Sequence, residues 1–152
     1  MQYVSAAPPG DVGCVFCSAL SSGDDRGALI LRRRDQAFLI LNAFPYASGH
    51  LMAVTARHGG GLTQASAAEL AHVMALVQVG MRTLSRVYGP DGFNVGVNEG
   101  RVAGAGVLDH LHVHVVPRWN GDTNFMPVLG DVRVLPEALD VTYDRLFAAL
   151  DS

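Results

Sequence analysis

The chain predicts an α+β domain, an antiparallel sheet with helices packed on it. Short β-branched and aliphatic runs bounded by turn residues recur along it, and one long segment repeats apolar residues at three- and four-residue spacing. The resulting order is hairpin, strand, long helix, strand, strand, helix, which suits a layered α+β architecture.

Residues 1–12 read as a tail, because Ala6-Ala7-Pro8-Pro9-Gly10 is too rich in breakers for an element. A single domain is expected over residues 13–152, with no internal repeat. It opens on Cys14-Val15-Phe16-Cys17. A Cys-x-x-Cys is half a zinc site, a redox pair or two small buried residues, since zinc needs four ligands. Residues 27–34 and 36–42 predict two strands joined at Arg32-Arg33-Arg34-Asp35. Three adjacent arginines can grip phosphate, but such a run more often makes a solvated turn, the reading taken here.

Phe44-Pro45-Tyr46-Ala47-Ser48-Gly49 is a loop, His50–Val54 a third strand, and Gly59-Gly60-Gly61 ends the unit. Ser66-Ala67-Ala68-Glu69 is a capping box that opens the long helix. Leu70, Val73, Met74, Val77, Met81, Leu84 and Tyr88 form its apolar stripe, expected in the core, with His72 off the stripe at the surface. Gly89-Pro90 stops the helix. Phe93–Asn98 alternates as a fourth strand, and Gly100–Gly106 is a glycine-rich connection. Gly121–Asn124 makes a turn. A last helix runs from Pro136 to about Leu150, with Leu139, Tyr143, Leu146, Phe147 and Leu150 on one face.

A chain of 152 residues suits one domain, and 49% hydrophobic against 16% charged residues marks it as globular. A net charge of −3 gives no footprint for non-specific nucleic-acid binding. The apolar runs are too short for a membrane span, and Met1-Gln2-Tyr3-Val4 lacks the features of a signal peptide. Two cysteines make no disulfide framework, so a cytoplasmic location is expected. All 11 basic residues are arginine. The absence of lysine excludes P-loop, Schiff-base and nucleotidyl-lysine chemistry.

The most informative stretch is His110-Leu111-His112-Val113-His114-Val115-Val116-Pro117-Arg118. Strict alternation places the three histidines on one face of a strand and Leu111, Val113 and Val115 on the other. A single strand histidine is usually structural, whereas three in register point to chemistry. The run resembles the His-φ-His-φ-His-φ-φ signature of the histidine triad (HIT) superfamily of nucleotide hydrolases and transferases. The resemblance covers roughly residues 14–120 and implies the HIT fold.

A neutral imidazole is a good nucleophile near physiological pH. His112 is the natural nucleophile for an α-phosphate, because His110 and His114 on either side can reach the same group. Its other ring nitrogen must then be held as a donor, for which a backbone carbonyl suffices. His110 and His114 are expected to donate to the phosphoryl and bridging oxygens. Gly104-Ala105-Gly106-Val107 can bring backbone N–H groups against a phosphate.

The resemblance implies further roles. Asn98 aligns with an amide that contacts phosphate, Asn42 with a polar residue that binds ribose, and His50 with a residue that supports the triad from the neighbouring strand. Several branches hold zinc with a Cys-x-x-Cys pair, a further histidine and the first triad histidine; Cys14, Cys17, His58 and His110 stand in those places. An extension from about residue 120, including Trp119-Asn120-Gly121-Asp122-Thr123-Asn124-Phe125, resembles the bacterial branch that acts on dinucleoside polyphosphates such as diadenosine tetraphosphate. Phosphorylases of that branch carry a hydroxyl residue where Gly106 stands, so hydrolysis is the expectation and phosphorolysis the alternative. A purine nucleoside phosphoramidase, or a zinc- or nucleotide-binding regulator with little turnover, are the other readings. A homodimer, and magnesium accompanying the polyphosphate, are also implied.

Overall fold

A computed structural model describes residues 13–123, 129–130 and 136–150; the tail expected over 1–12 and the Asn124-Phe125 end of the extension lie outside the described residues. The elements are α1 (Val15–Ser21), β1 (Ile30–Arg33), β2 (Ala37–Leu41), β3 (Leu51–Thr55), α2 (Ala67–Tyr88), β4 (Gly92–Gly96), β5 (His112–Arg118) and α3 (Leu139–Ala149). The five strands form one sheet in the order β1-β2-β3-β5-β4, with every neighbouring pair antiparallel. The α+β expectation therefore holds.

Period-two alternation gives the sheet two apolar faces. Leu39, Leu41, Leu51, Ala53, Val113 and Val115 pack with Val73, Leu76, Val77 and Leu84 of α2 and with Tyr143 and Leu146 of α3. On the other face Phe38, Ile40, Met52 and Val54 cluster with Cys14 and Phe16. That second layer explains why all residues of β2 and β3 are buried. Sequence reading assigned no element to 15–21. A helix of seven residues carries too little periodicity to stand out.

The capping box at the start of α2 is formed in full: Glu69 N–H donates to Ser66 Oγ and Ser66 N–H to Glu69 Oε2. Gly89 closes the helix in the left-handed region at φ 55°, which glycine adopts without strain. The buried stripe is rotated from the expected one: Leu76, Val79, Gly80 and Thr83 are buried, whereas Met74 is 49% exposed. Gly80 is there because Leu51 lies 3.1 Å from where a Cβ would stand.

Other boundaries also shift. β1 begins only at Ile30, after Leu29 at φ 66°. β4 ends at Gly96 and leaves Asn98 outside, and β5 begins at His112, so His110 precedes the strand. α3 starts at Leu139, and its Phe147 is 56% exposed. Arg33 is held by Asp25 and the Leu20 carbonyl, in keeping with a structural reading of the arginine run.

Candidate active site

Pairing of β5 with β3 sets Val54 opposite His112 and Met52 opposite His114, on the sheet face that carries Phe16 and Phe38. The imidazoles of His112 and His114 are neighbours, with ring centroids 5.0 Å apart. His112 Nδ1 lies 2.8 Å from the carbonyl oxygen of His110. A carbonyl only accepts, so Nδ1 carries the hydrogen and Nε2 of the neutral ring keeps its lone pair. Burial pushes the His112 pKa down, against an opposing pull from that carbonyl, and the ring is neutral at pH 7.

His50, immediately before β3, reaches His114 across the sheet, Nε2 to Nδ1, at 2.9 Å. The backbone N–H of Tyr46 donates to His50 Nδ1 at 3.1 Å. That nitrogen is an acceptor, so the His50 hydrogen sits on Nε2 and is donated to His114 Nδ1; the His114 hydrogen is thereby fixed on Nε2. Burial, then the neighbouring imidazoles, lower the pKa of His50 to about 3 and that of His114 to about 4. The site is a set of neutral imidazoles with assigned tautomers, one presenting a lone pair and one presenting an N–H.

His110 is directed elsewhere. Its Nδ1 lies 3.3 Å from Cys14 Sγ and 3.6 Å from Cys17 Sγ, and its Nε2 donates to the Thr55 carbonyl at 2.6 Å. Both ring nitrogens of His110 thus have partners within the protein. His110 meets His112 through its backbone oxygen.

His58 Nδ1 stands 3.4 Å from Cys17 Sγ, and the four ligand atoms of Cys14, Cys17, His58 and His110 all lie within 4.8 Å of one another. Tetrahedral zinc with sulfur and nitrogen ligands places neighbouring ligand atoms about 3.5 Å apart, so the cluster fits such an ion. The Thr55 carbonyl on His110 Nε2 orients the ring as an outer-shell partner does in metal sites. With all four positions supplied by protein, the site suits a structural ion. Both cysteines are free of a disulfide.

A small cleft is lined by Gly60, Val97, Asn98, Glu99, Val107, Leu108 and His110–His112. Asn98, expected near phosphate, therefore lines the same cleft as His112. Gly104 takes φ 88°, in the left-handed region, and a Cβ there would lie 3.9 Å from Asn98 Nδ2. Val107 lines the cleft, whereas Ala105 and Gly106 are not among the residues that line it. Asn42 is only 2% exposed; its Oδ1 accepts from Phe44 N–H at 2.8 Å and its Nδ2 lies 3.4 Å from His50 Nε2. In this arrangement Asn42 pins the loop that carries Tyr46.

Sequence reading missed Phe16, whose ring lies 5.3 Å from that of His110 and 5.0 Å from that of His112. Its place inside Cys14-x-x-Cys17 was the available signal. Thr55 acts on His110 through its backbone carbonyl, for which residue identity carries no signal, and Tyr46 meets His50 through its N–H and its ring.

A family model described as the HIT domain matches residues 26–121. The chain is 43% identical over 115 residues to the AP-4-A phosphorylase of Mycobacterium tuberculosis, an alignment covering 76% of this chain and 59% of that protein. It is 27% identical to an adenosine 5'-monophosphoramidase of Schizosaccharomyces pombe, over 72% of this chain and 77% of that one. The crystal structure of a Zn-bound histidine triad family protein from Mycobacterium smegmatis superposes with a TM-score of 0.74 at 26% identity, covering 92% and 94% of the two chains. The chain belongs to the HIT family. It spans about three fifths (59%) of the length of the mycobacterial phosphorylase it matches.

Proposed function

We propose that this chain is an enzyme that transfers a nucleotidyl group from a dinucleoside polyphosphate of the diadenosine tetraphosphate type, through a covalent intermediate on His112. The observation that carries this reading is the His112–His110 contact, which keeps the Nε2 lone pair available. Nε2 attacks the α-phosphorus, a P–N bond forms, and the bond from phosphorus to the bridging oxygen breaks. The Nε2–H of His114 donates a hydrogen bond to that oxygen. The departing polyphosphate leaves as an anion and needs no proton. The His110 carbonyl stabilises the positive charge that the nucleotidylated His112 ring acquires. Asn98 and the backbone N–H groups of Gly104–Val107 are assigned to the phosphoryl oxygens.

Inorganic phosphate is the acceptor we favour for the second step, supported by the 43% identity to the AP-4-A phosphorylase. Water is the second reading, favoured by Gly106, which has no hydroxyl to offer a phosphate acceptor. A zinc ion held by Cys14, Cys17, His58 and His110 would supply structural cross-linking between α1, the loop after β3 and the approach to β5. Magnesium would travel with the polyphosphate and neutralise its charge.

A homodimer is proposed through β4 and α2: β4 is a sheet edge, Val95 on it is 41% exposed, and Met74 on α2 is 49% exposed. No described helix is long and apolar enough to cross a membrane; action in the cytoplasm, without a nucleic-acid partner, remains our reading from composition.

Product analysis on diadenosine tetraphosphate tests the function. ATP plus ADP, formed only with inorganic phosphate, is the expected result; ATP plus AMP without phosphate assigns water as the acceptor. No turnover of this substrate, with release of AMP from adenosine 5'-phosphoramidate, would overturn the substrate assignment.

A further inference from the structure

We propose that Ser48 and Glu137 are positioning residues for the reaction, tying the loop that sets His50, and through it His114, to the base of α3. The proposal rests on the functional reading above and extends its machinery to residues that touch neither substrate nor triad. His50 donates to His114 only while its own Nδ1 accepts the Tyr46 N–H. That bond joins residues four apart, so it exists only if 46–50 keeps its turn. Within the turn the Ala47 carbonyl accepts from the His50 N–H at 3.1 Å. Whatever holds this turn therefore also holds the His114 tautomer.

Two contacts fix the outer side of the turn. Gly49 takes φ 85°, in the left-handed region, and is packed on the end of α2. A Cβ there would stand 2.6 Å from Leu84 Cδ2 and 3.3 Å from Tyr88 Cε2. Beside it, Ser48 Oγ accepts from the backbone N–H of Glu137 at 2.9 Å, across 89 positions of sequence.

Glu137 is itself held by two helices. Its Oε2 accepts from the Tyr88 hydroxyl of α2 and from Thr142 Oγ1 of α3 at 2.8 Å, and its Oε1 from Arg145 Nη1 of α3 at 2.7 Å. The Arg145 guanidinium also lies over the Tyr88 ring, 4.6 Å from its centroid. Burial draws the Glu137 carboxyl upward, but the three donors outweigh it and hold the pKa below its ordinary value. The side-chain bonds pin α3 to α2 and fix the Glu137 backbone at the same time. Its N–H carries that fixed point across to Ser48, two residues before His50. The chain of contacts thus runs from α2 and α3 through Glu137 and Ser48 to the turn, His50 and His114.

The test is read first without substrate, by long-range proton–nitrogen NMR of the imidazoles, which reports the ring nitrogen that carries hydrogen. The native chain should show His114 as a single Nε2–H tautomer, and Ser48→Ala a mixture of the two forms. Tyr88→Phe keeps the ring against Gly49, removes one donor from Glu137 and should move His114 the same way. On diadenosine tetraphosphate, Ser48→Ala should lower kcat by roughly two- to ten-fold, the worth of one neutral hydrogen bond, with a smaller change in KM. Ser48→Thr keeps the oxygen and should restore both readouts. In a His50→Ala chain, Ser48→Ala should cost no further kcat, because its effect passes through His50. A His114 tautomer unmoved by Ser48→Ala, or losses of kcat that add in full with His50→Ala, overturns the positioning role. A tautomer lost in Ser48→Ala, with no turnover of this substrate by the native chain, rejects the reaction and keeps the positioning. Native turnover, with tautomer and kcat unchanged in Ser48→Ala, rejects the positioning and keeps the reaction.

Discussion

His50 Nε2 lies 2.9 Å from His114 Nδ1, and this contact fixes which nitrogen of His114 can face a substrate. The order of donors from Tyr46 N–H to His50 to His114 leaves a single N–H at the end of the relay.

Removing His50 therefore lowers turnover without removing the nucleophile. His50→Ala should lower kcat by roughly ten- to a hundred-fold with a smaller change in KM, and His114→Ala by roughly a hundred-fold or more. Steady-state kinetics on diadenosine tetraphosphate checks both. Full kcat in His50→Ala would dissolve the relay.

The same relay predicts how stability depends on pH. In the fold His50 ionises at about 3 and His114 at about 4, against 6.5 for the open chain. Their folded values are lower, so the unfolded chain takes up protons first as pH falls. The stabilisation is complete above 6.5 and is lost progressively as pH falls toward about 4 and 3. Glu69, held down to about 2 by Arg57, adds its own loss only below its ordinary 4.5. Chemical denaturation between about pH 7 and pH 5 should show a decline that His50→Gln reduces.

Elemental analysis should find close to one zinc per chain, absent in Cys14→Ala. Loss of the ion should lower the melting temperature, because binding to the folded chain alone is folding free energy. It should also slow turnover, since His110 carries the carbonyl that holds His112. Metal-free protein of unchanged stability contradicts this assignment.

The capping box at the start of α2 gives a prediction apart from the site. Ser66→Ala removes the acceptor for Glu69 N–H and should cost about 1 kcal/mol by chemical denaturation, with kcat unchanged.

Much of this arrangement was legible in the sequence because it is carried by periodicity and side-chain identity. Alternation gave the triad strand, the 3.6-residue repeat gave α2, and the Ser66–Glu69 spacing gave its cap. The four residues of the proposed metal site were legible only through family resemblance, since 96 positions separate Cys14 from His110. The rest was hidden for physical reasons. α1 is too short to show a period, and Met74 matched the helical repeat yet lies on the outer side of α2. Both ring nitrogens of His110 are engaged, one by the cysteines and one by a backbone carbonyl, and an alternation pattern carries no information about backbone acceptors.

The central claim is a nucleotidyl bond to His112, and mass spectrometry of chain quenched in alkali during turnover of diadenosine tetraphosphate tests it most directly. The account predicts one adenylyl group on His112, chased into ADP by inorganic phosphate and absent in His112→Asn, which should also lose turnover by orders of magnitude. An adduct on another residue, or full turnover in His112→Asn, would contradict it.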